Sequence, residues 1–268
     1  MPAVVDDQPQ ARGALSGRVA VVVGGASGLG RTVAKALARQ GARIVVADFD
    51  GERTERTVEE ILRLGSSDAA LALHTDVRND ASVRSLAADA IKAMGQVDLV
   101  INMAGVLLKG PIDRLKPGDW KWMLDTNLLG AVRTALAFLP HLTERGTGHV
   151  INTVSAGALA PSDPLTIAYD TGQVALASFT KSLAAAMNGT GVNVSLYCTG
   201  SEGPRIGQNT RSRGLGRLLH PTEDLDEGVE PSDRLVDSLV DAVHNPRFLI
   251  LADPTASVPA VEPLVATS

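Results

Sequence analysis

The chain has 268 residues, of which 44% are hydrophobic and 21% charged, and its formal net charge is −5. That length suits one well-buried α/β domain. The acidic balance, with only 3% aromatics, argues against a nucleic-acid surface, which needs clustered cations for counterion release. No apolar run approaches the roughly 20 residues that cross a bilayer. The N-terminus opens on Asp6 and Asp7 rather than on a basic and then apolar signal, and Cys198 is the single cysteine. The expectation is a cytoplasmic enzyme with no membrane or nucleic-acid partner.

In chain order, residues 1–14 show no sustained period and are expected to form a disordered arm. Residues 253–268, with Pro254, Pro259 and Pro263, are expected to form a flexible tail. Between them, strands are predicted at Arg18–Val23, Arg43–Ala47, 70–74, 97–101, His149–Val154, Val192–Tyr197 and Phe248–Leu251. Helices are predicted at Leu29–Arg39, Glu52–Leu64, 80–93, about 117–142, about 164–188 and 232–244. Strands that are apolar on both faces belong to a parallel sheet covered by helices on both sides. The alternation therefore predicts a single α/β domain over 15–252, a Rossmann-type doubly wound parallel sheet. Only 199–230, rich in Gly, Arg and Pro, breaks the rhythm, and a loop that long is expected to bind or cover a ligand.

The first strand runs into Gly24-Gly25-Ala26-Ser27-Gly28-Leu29-Gly30 and then a helix. Such a turn brings backbone N–H groups and a helix N-terminus up to a pyrophosphate. Glycines alone fit any strand–helix turn. The second strand, however, ends at Asp48, whose carboxylate can accept both adenosine ribose hydroxyls and repels a 2′-phosphate. The combination predicts a dinucleotide site that favours NAD over NADP.

Further along stand Asp76-Val77, Asn102-Met103-Ala104-Gly105, Asn127, Ser155 and Tyr169, in that order. With the Gly-x3-Gly-x-Gly spacing of the turn, this set resembles the short-chain dehydrogenase/reductase family over about residues 15–252. The resemblance implies a seven-stranded sheet, a nicotinamide cofactor, a small-molecule substrate and self-association as a tetramer or dimer through the two long helices. It also implies an Asn–Ser–Tyr–Lys active site. Carried over residue by residue, Gly24, Ser27, Gly28, Leu29 and Gly30 hold the phosphates, and Asp48 and Phe49 the adenosine. Asp76 and Val77 lie at the adenine, and Asn102, Ala104 and Gly105 at the next strand end. Asn127, Ser155 and Tyr169 are the catalytic set, and Gly200 falls beside the nicotinamide.

One position departs sharply. Four residues after Tyr169, one turn along the same helix face, the family has lysine and this chain has Gln173. Met103 likewise replaces a second asparagine, and Thr199 a proline. The missing ammonium would hold the cofactor ribose and favour tyrosinate. Gln173 can still bond ribose hydroxyls, because its amide donates and accepts. Lys109 and Arg205 are candidate replacement cations and His220 a candidate alternative acid, whereas Lys181, two turns beyond Gln173, is too distant. No His/Cys/Asp spacing points to a metal. The leading expectation is an NAD(H)-linked oxidoreductase on a secondary alcohol or carbonyl, with Ser155 polarising the oxygen, Tyr169 moving the proton and Asn127 holding the helix kink. Two alternatives stay open: a non-redox cyclase, isomerase or dehydratase on the same fold, and a dinucleotide-binding protein without catalysis.

Overall fold

Five apolar, mostly β-branched residues, Val19–Val23, form β1, and every one is buried. Their neighbours extend the same logic. A computed structural model of the chain describes residues 13–65, 69–159, 163–199, 209–215 and 233–252. In chain order β1 leads to α1 (Gly28–Arg39), β2 (Arg43–Asp48), α2 (Gly51–Arg63), β3 (Ala70–His74), α3 (Asp80–Met94) and β4 (Leu99–Asn102). Then come β5 (Leu107–Lys109), α4 (Pro117–Asn127), α5 (Leu129–Arg145), β6 (Gly148–Ser155), α6 (Ile167–Ala186), β7 (Val192–Thr199), β8 (Thr210–Ser212), α7 (Asp233–His244) and β9 (Leu249–Leu251).

Seven strands make one sheet in the order β3-β2-β1-β4-β6-β7-β9, and all its pairings are parallel. The order reverses between β1 and β4, the switch point where ligands of open α/β sheets bind at the carboxyl ends of strands. Alternate side chains of β1 serve both faces: Ala20 and Val22 pack with α1 and α7 residues such as Leu37 and Leu239. Val19, Val21 and Val23 pack with α3 and α5 residues such as Leu86 and Phe138 on the other side. The doubly wound sheet is therefore as the strand patterns predict.

Two local expectations need correction. The single helix expected over 117–142 is two helices, α4 and α5, broken at Leu128, whose φ of −102° and ψ of −63° depart from helical values. Pro140 sits within α5. Second, β5 and β8 form a separate two-stranded parallel sheet, too short to give a readable pattern. At the start of the described chain Gly13 packs on Gln40, where an added Cβ would overlap backbone, and Leu15 is fully buried. The rest of the expected arm and the tail at 253–268 lie outside the described residues. No described helix is long and apolar enough to cross a membrane.

Candidate active site

At the switch point the turn after β1 meets the turn after β4. Gly24 takes φ of +80°, and a Cβ there would overlap the backbone of Ala104. Gly30 faces the carbonyl of Gly24 so closely that a Cβ would overlap it too. Only glycine permits that compaction. The N-terminus of α1 is left open: Ser27 gives no side-chain cap, and no acidic residue stands in the first turn. Uncapped N–H groups and the positive end of a helix dipole are the features that fit a pyrophosphate.

A cavity of about 1020 Å³ opens from this turn and runs to the ends of β6 and α6. Its walls include Gly24, Ser27, Gly28, Leu29, Gly30, Asp48, Phe49, Asp76, Val77, Ala104, Gly105, Asn127, Ser155, Tyr169 and Gln173. The fold thus gathers nearly every residue singled out in the sequence. Asn102 is an exception among them. It lies beneath the wall, its Nδ2 donating to Asn152 Oδ1 at 2.7 Å while Asn152 Nδ2 donates to Thr180 Oγ1 at 3.0 Å. It ties β4 to β6 and α6. Gly200, Arg205 and His220 fall outside the described residues.

At the adenosine end, Asp48 anchors the turn as well as facing the cavity. Its Oδ2 accepts from the Ala26 N–H at 3.1 Å and its Oδ1 from the Asp50 N–H at 3.2 Å, which leaves lone pairs on both oxygens for further donors. Asp76 accepts from Arg78 Nε and Nη2, each at 2.8 Å, and this side-chain pairing holds its carboxyl below the usual range. Sequence reasoning missed Arg78, although it stands two residues from Asp76. Its guanidinium lies 5.4 Å from the centre of the Phe49 ring. Phe49 is 62% exposed, an aromatic shelf beside Asp48.

At the other end, Tyr169 near the start of α6 and Ser155 at the end of β6 line the same stretch of the cavity. Burial pushes the Tyr169 hydroxyl up to about 12, and the neighbouring Asp170 charge adds to the rise. Gln173 does not simply face the cavity. Its Oε1 accepts from the Ser155 N–H at 2.8 Å, so the residue in the lysine position fixes the strand end that presents Ser155. Asn127 is similarly engaged: its Oδ1 accepts from the Val106 N–H and its Nδ2 donates to the Val106 carbonyl, both at 2.8 Å. Lying next to the α4–α5 break, it clamps the chain entering β5. Lys109, the candidate replacement cation, is paired instead with Asp163 at 3.2 Å.

A glycine turn, a carboxylate at the end of β2 and a Ser–Tyr pair in one cavity define a dinucleotide-binding α/β enzyme. The short chain dehydrogenase family model matches residues 18–213, and the chain belongs to that family. Over 186 residues it is 33% identical to an uncharacterized oxidoreductase of Staphylococcus aureus, covering 69% of this chain and 78% of that one. A short chain dehydrogenase of Pseudocercospora fijiensis is 34% identical over 193 residues, covering 71% of this chain and 61% of that one. Among solved structures, a candidate short-chain dehydrogenase from Novosphingobium aromaticivorans is similar at a TM-score of 0.74 and 27% identity, covering 90% of this chain and 82% of that one. Members of the family bind a nicotinamide dinucleotide and act on small molecules.

Proposed function

We propose that the protein is an NAD(H)-dependent dehydrogenase/reductase that interconverts a secondary alcohol and its carbonyl. The observation that carries this reading is that Ser155 and Tyr169 line the same cavity as the open glycine turn and Asp48. A bound nicotinamide supplies the hydride acceptor or donor. The N–H groups of the turn and of the first turn of α1 hold the pyrophosphate. Asp48 accepts from the adenosine ribose and disfavours a 2′-phosphate. Two cations near that end, Arg53 and Arg78, are each engaged by a carboxylate, Asp50 and Asp76, so neither stands ready to reverse that preference.

At the reacting end, Ser155 donates to the substrate oxygen. Tyr169 gives that oxygen its proton during reduction and recovers it during oxidation. Gln173 acts through Ser155, as a positioning residue. The high affinity of Tyr169 for its proton keeps it in the acid form that reduction requires, whereas oxidation has to wait for the scarce phenolate. The same observation favours a second reading, non-redox isomerisation, dehydration or cyclisation assisted by a neutral tyrosine.

The exposed apolar residues of α5 and α6 support self-association. Leu129 and Leu136, seven apart, share one face of α5, and Ile167 and Val174 share one of α6; they are 39%, 66%, 40% and 47% exposed. Phe138 and Leu176, on the same two helices, are core residues.

The experiment is titration with NADH and NADPH, followed by turnover on a panel of ketones. Tighter NADH binding with consumption of a ketone supports the proposal. Tight NADH binding with no turnover on any alcohol or carbonyl favours the non-redox reading, and equal affinity for the two cofactors contradicts the role of Asp48.

A further inference from the structure

The wall of the cavity beyond Tyr169 carries a cation that the chemistry described so far does not use. The short sheet of β5 and β8 sets Leu108 opposite Arg211 and Lys109 opposite Ser212. Arg211 and Arg213 are two apart on an extended segment and so point the same way, toward α4. Arg213 is neutralised there: its Nε lies 3.0 Å from each oxygen of Asp119 and its Nη2 donates to Oδ1 at 2.6 Å. Asp119 is buried, so this pair pins the strand. Among the described residues Arg211 forms no salt bridge, although its charge acts on Asp119 from a distance. Its guanidinium carbon lies 3.8 Å from the centre of the Trp122 ring, three residues along α4 from Asp119. Stacking on a ring face orients a guanidinium without cancelling its charge, and leaves its N–H edge available for a planar oxyanion.

Both Arg211 and Trp122 line the cavity, with Asn209 and Thr210 beside them. The clamp of Asn127 on Val106 fixes β5, and through it β8, next to the site. Of the described acidic residues that line this side, Asp163 is paired with Lys109, and Asp170 accepts from Thr166 Oγ1 at 2.9 Å. We infer that the substrate carries a carboxylate or phosphate group, which binds to Arg211 stacked on Trp122 while the reacting carbon faces Ser155 and Tyr169. The inference rests on the proposed reading of Ser155–Tyr169 as the reacting end.

Binding and turnover test it separately. The probes are aliphatic oxo acids of graded length, each paired with its methyl ester, and ketone phosphates, each paired with the free ketone. Binding is followed by calorimetry, with and without NADH, on the full chain and on its Arg211→Gln and Arg211→Lys variants, with melting curves confirming that the variants fold. At least one anion should bind about 10- to 100-fold tighter than its neutral partner, the range of a charge-assisted, bidentate contact. Arg211→Gln should abolish the preference, and Arg211→Lys, which keeps the charge but not the fork, should restore part of it. Which series shows the effect distinguishes carboxylate from phosphate. Arg211-dependent anion binding without turnover of any compound upholds this inference and contradicts the redox reading. Turnover of neutral and anionic partners alike, or an anion preference that survives Arg211→Gln, overturns the inference and leaves the redox reading standing.

Discussion

Replacing Gln173 by lysine perturbs two things at once, and their opposite signs make the outcome diagnostic. With the Tyr169 hydroxyl pushed up to about 12 by burial, about one molecule in 10⁵ carries phenolate at pH 7. The rise from an ordinary value of about 10 is worth about 3 kcal/mol. An ammonium one helical turn away should bring the hydroxyl down by about 1–3 pH units. Alcohol oxidation at neutral pH should then quicken by roughly 10- to 1000-fold, as the phenolate population rises by the same factor. The substitution also removes the acceptor of the Ser155 N–H, a 2.8 Å bond in a buried setting. That should cost about 1–3 kcal/mol of stability, or several degrees of melting temperature in a chain of this size. Gln173→Met separates the two effects, losing the bond without adding a charge.

The assay is a pH–rate profile in both directions. In the unmutated protein, oxidation should climb about tenfold per pH unit with no plateau below about pH 10, whereas reduction stays flat over the same range because Tyr169 remains protonated. In Gln173→Lys the inflection of the oxidation limb should move down. An oxidation rate that already levels off near pH 7 in the unmutated protein would mean that Tyr169 is ionised without an ammonium beside it, contrary to this assignment.

Asp48→Ala should weaken NAD binding and narrow its advantage over NADP, as calorimetry with both cofactors will report; the loss of its bond to the Ala26 N–H should also lower the melting temperature slightly. Leu136→Glu, on the exposed face of α5, should shift the protein toward monomer in light scattering while leaving its melting transition nearly unchanged. The Arg213 guanidinium holds the Asp119 carboxyl below its usual range. The pair's stabilisation is therefore full above the ordinary carboxylate pKa and is lost as pH falls through the depressed one. Asp119→Asn should flatten that part of an acid-unfolding curve.

The sheet was legible because its strands are buried on both faces, so residues such as Val19–Val23 and Arg43–Asp48 read as apolar runs between turn signals. Asp48 and the glycine turn were legible because they are local to one βαβ unit. What the sequence did not reveal depends on contacts across the fold. The break at Leu128 follows no proline or glycine, so only the family resemblance pointed to a kink there, and the hold of Val106 on Asn127, across 21 residues, left no trace in the pattern. The bond from the Ser155 N–H to Gln173 joins a strand end to a helix, and periodicity carries no trace of it. Residues of β5 and β8 meet only in the folded chain, so the placing of Arg211 over Trp122 could not be read from either segment alone.

In the proposed mechanism Tyr169 moves a proton to and from a substrate oxygen beside a bound nicotinamide dinucleotide. The most direct measurement is single-turnover consumption of NADH with the best ketone of the panel, comparing the unmutated protein with Tyr169→Phe. NADH should bind both proteins with similar affinity, and Tyr169→Phe should slow the chemical step by about 10²–10⁴-fold. Turnover that persists undiminished in Tyr169→Phe would contradict it.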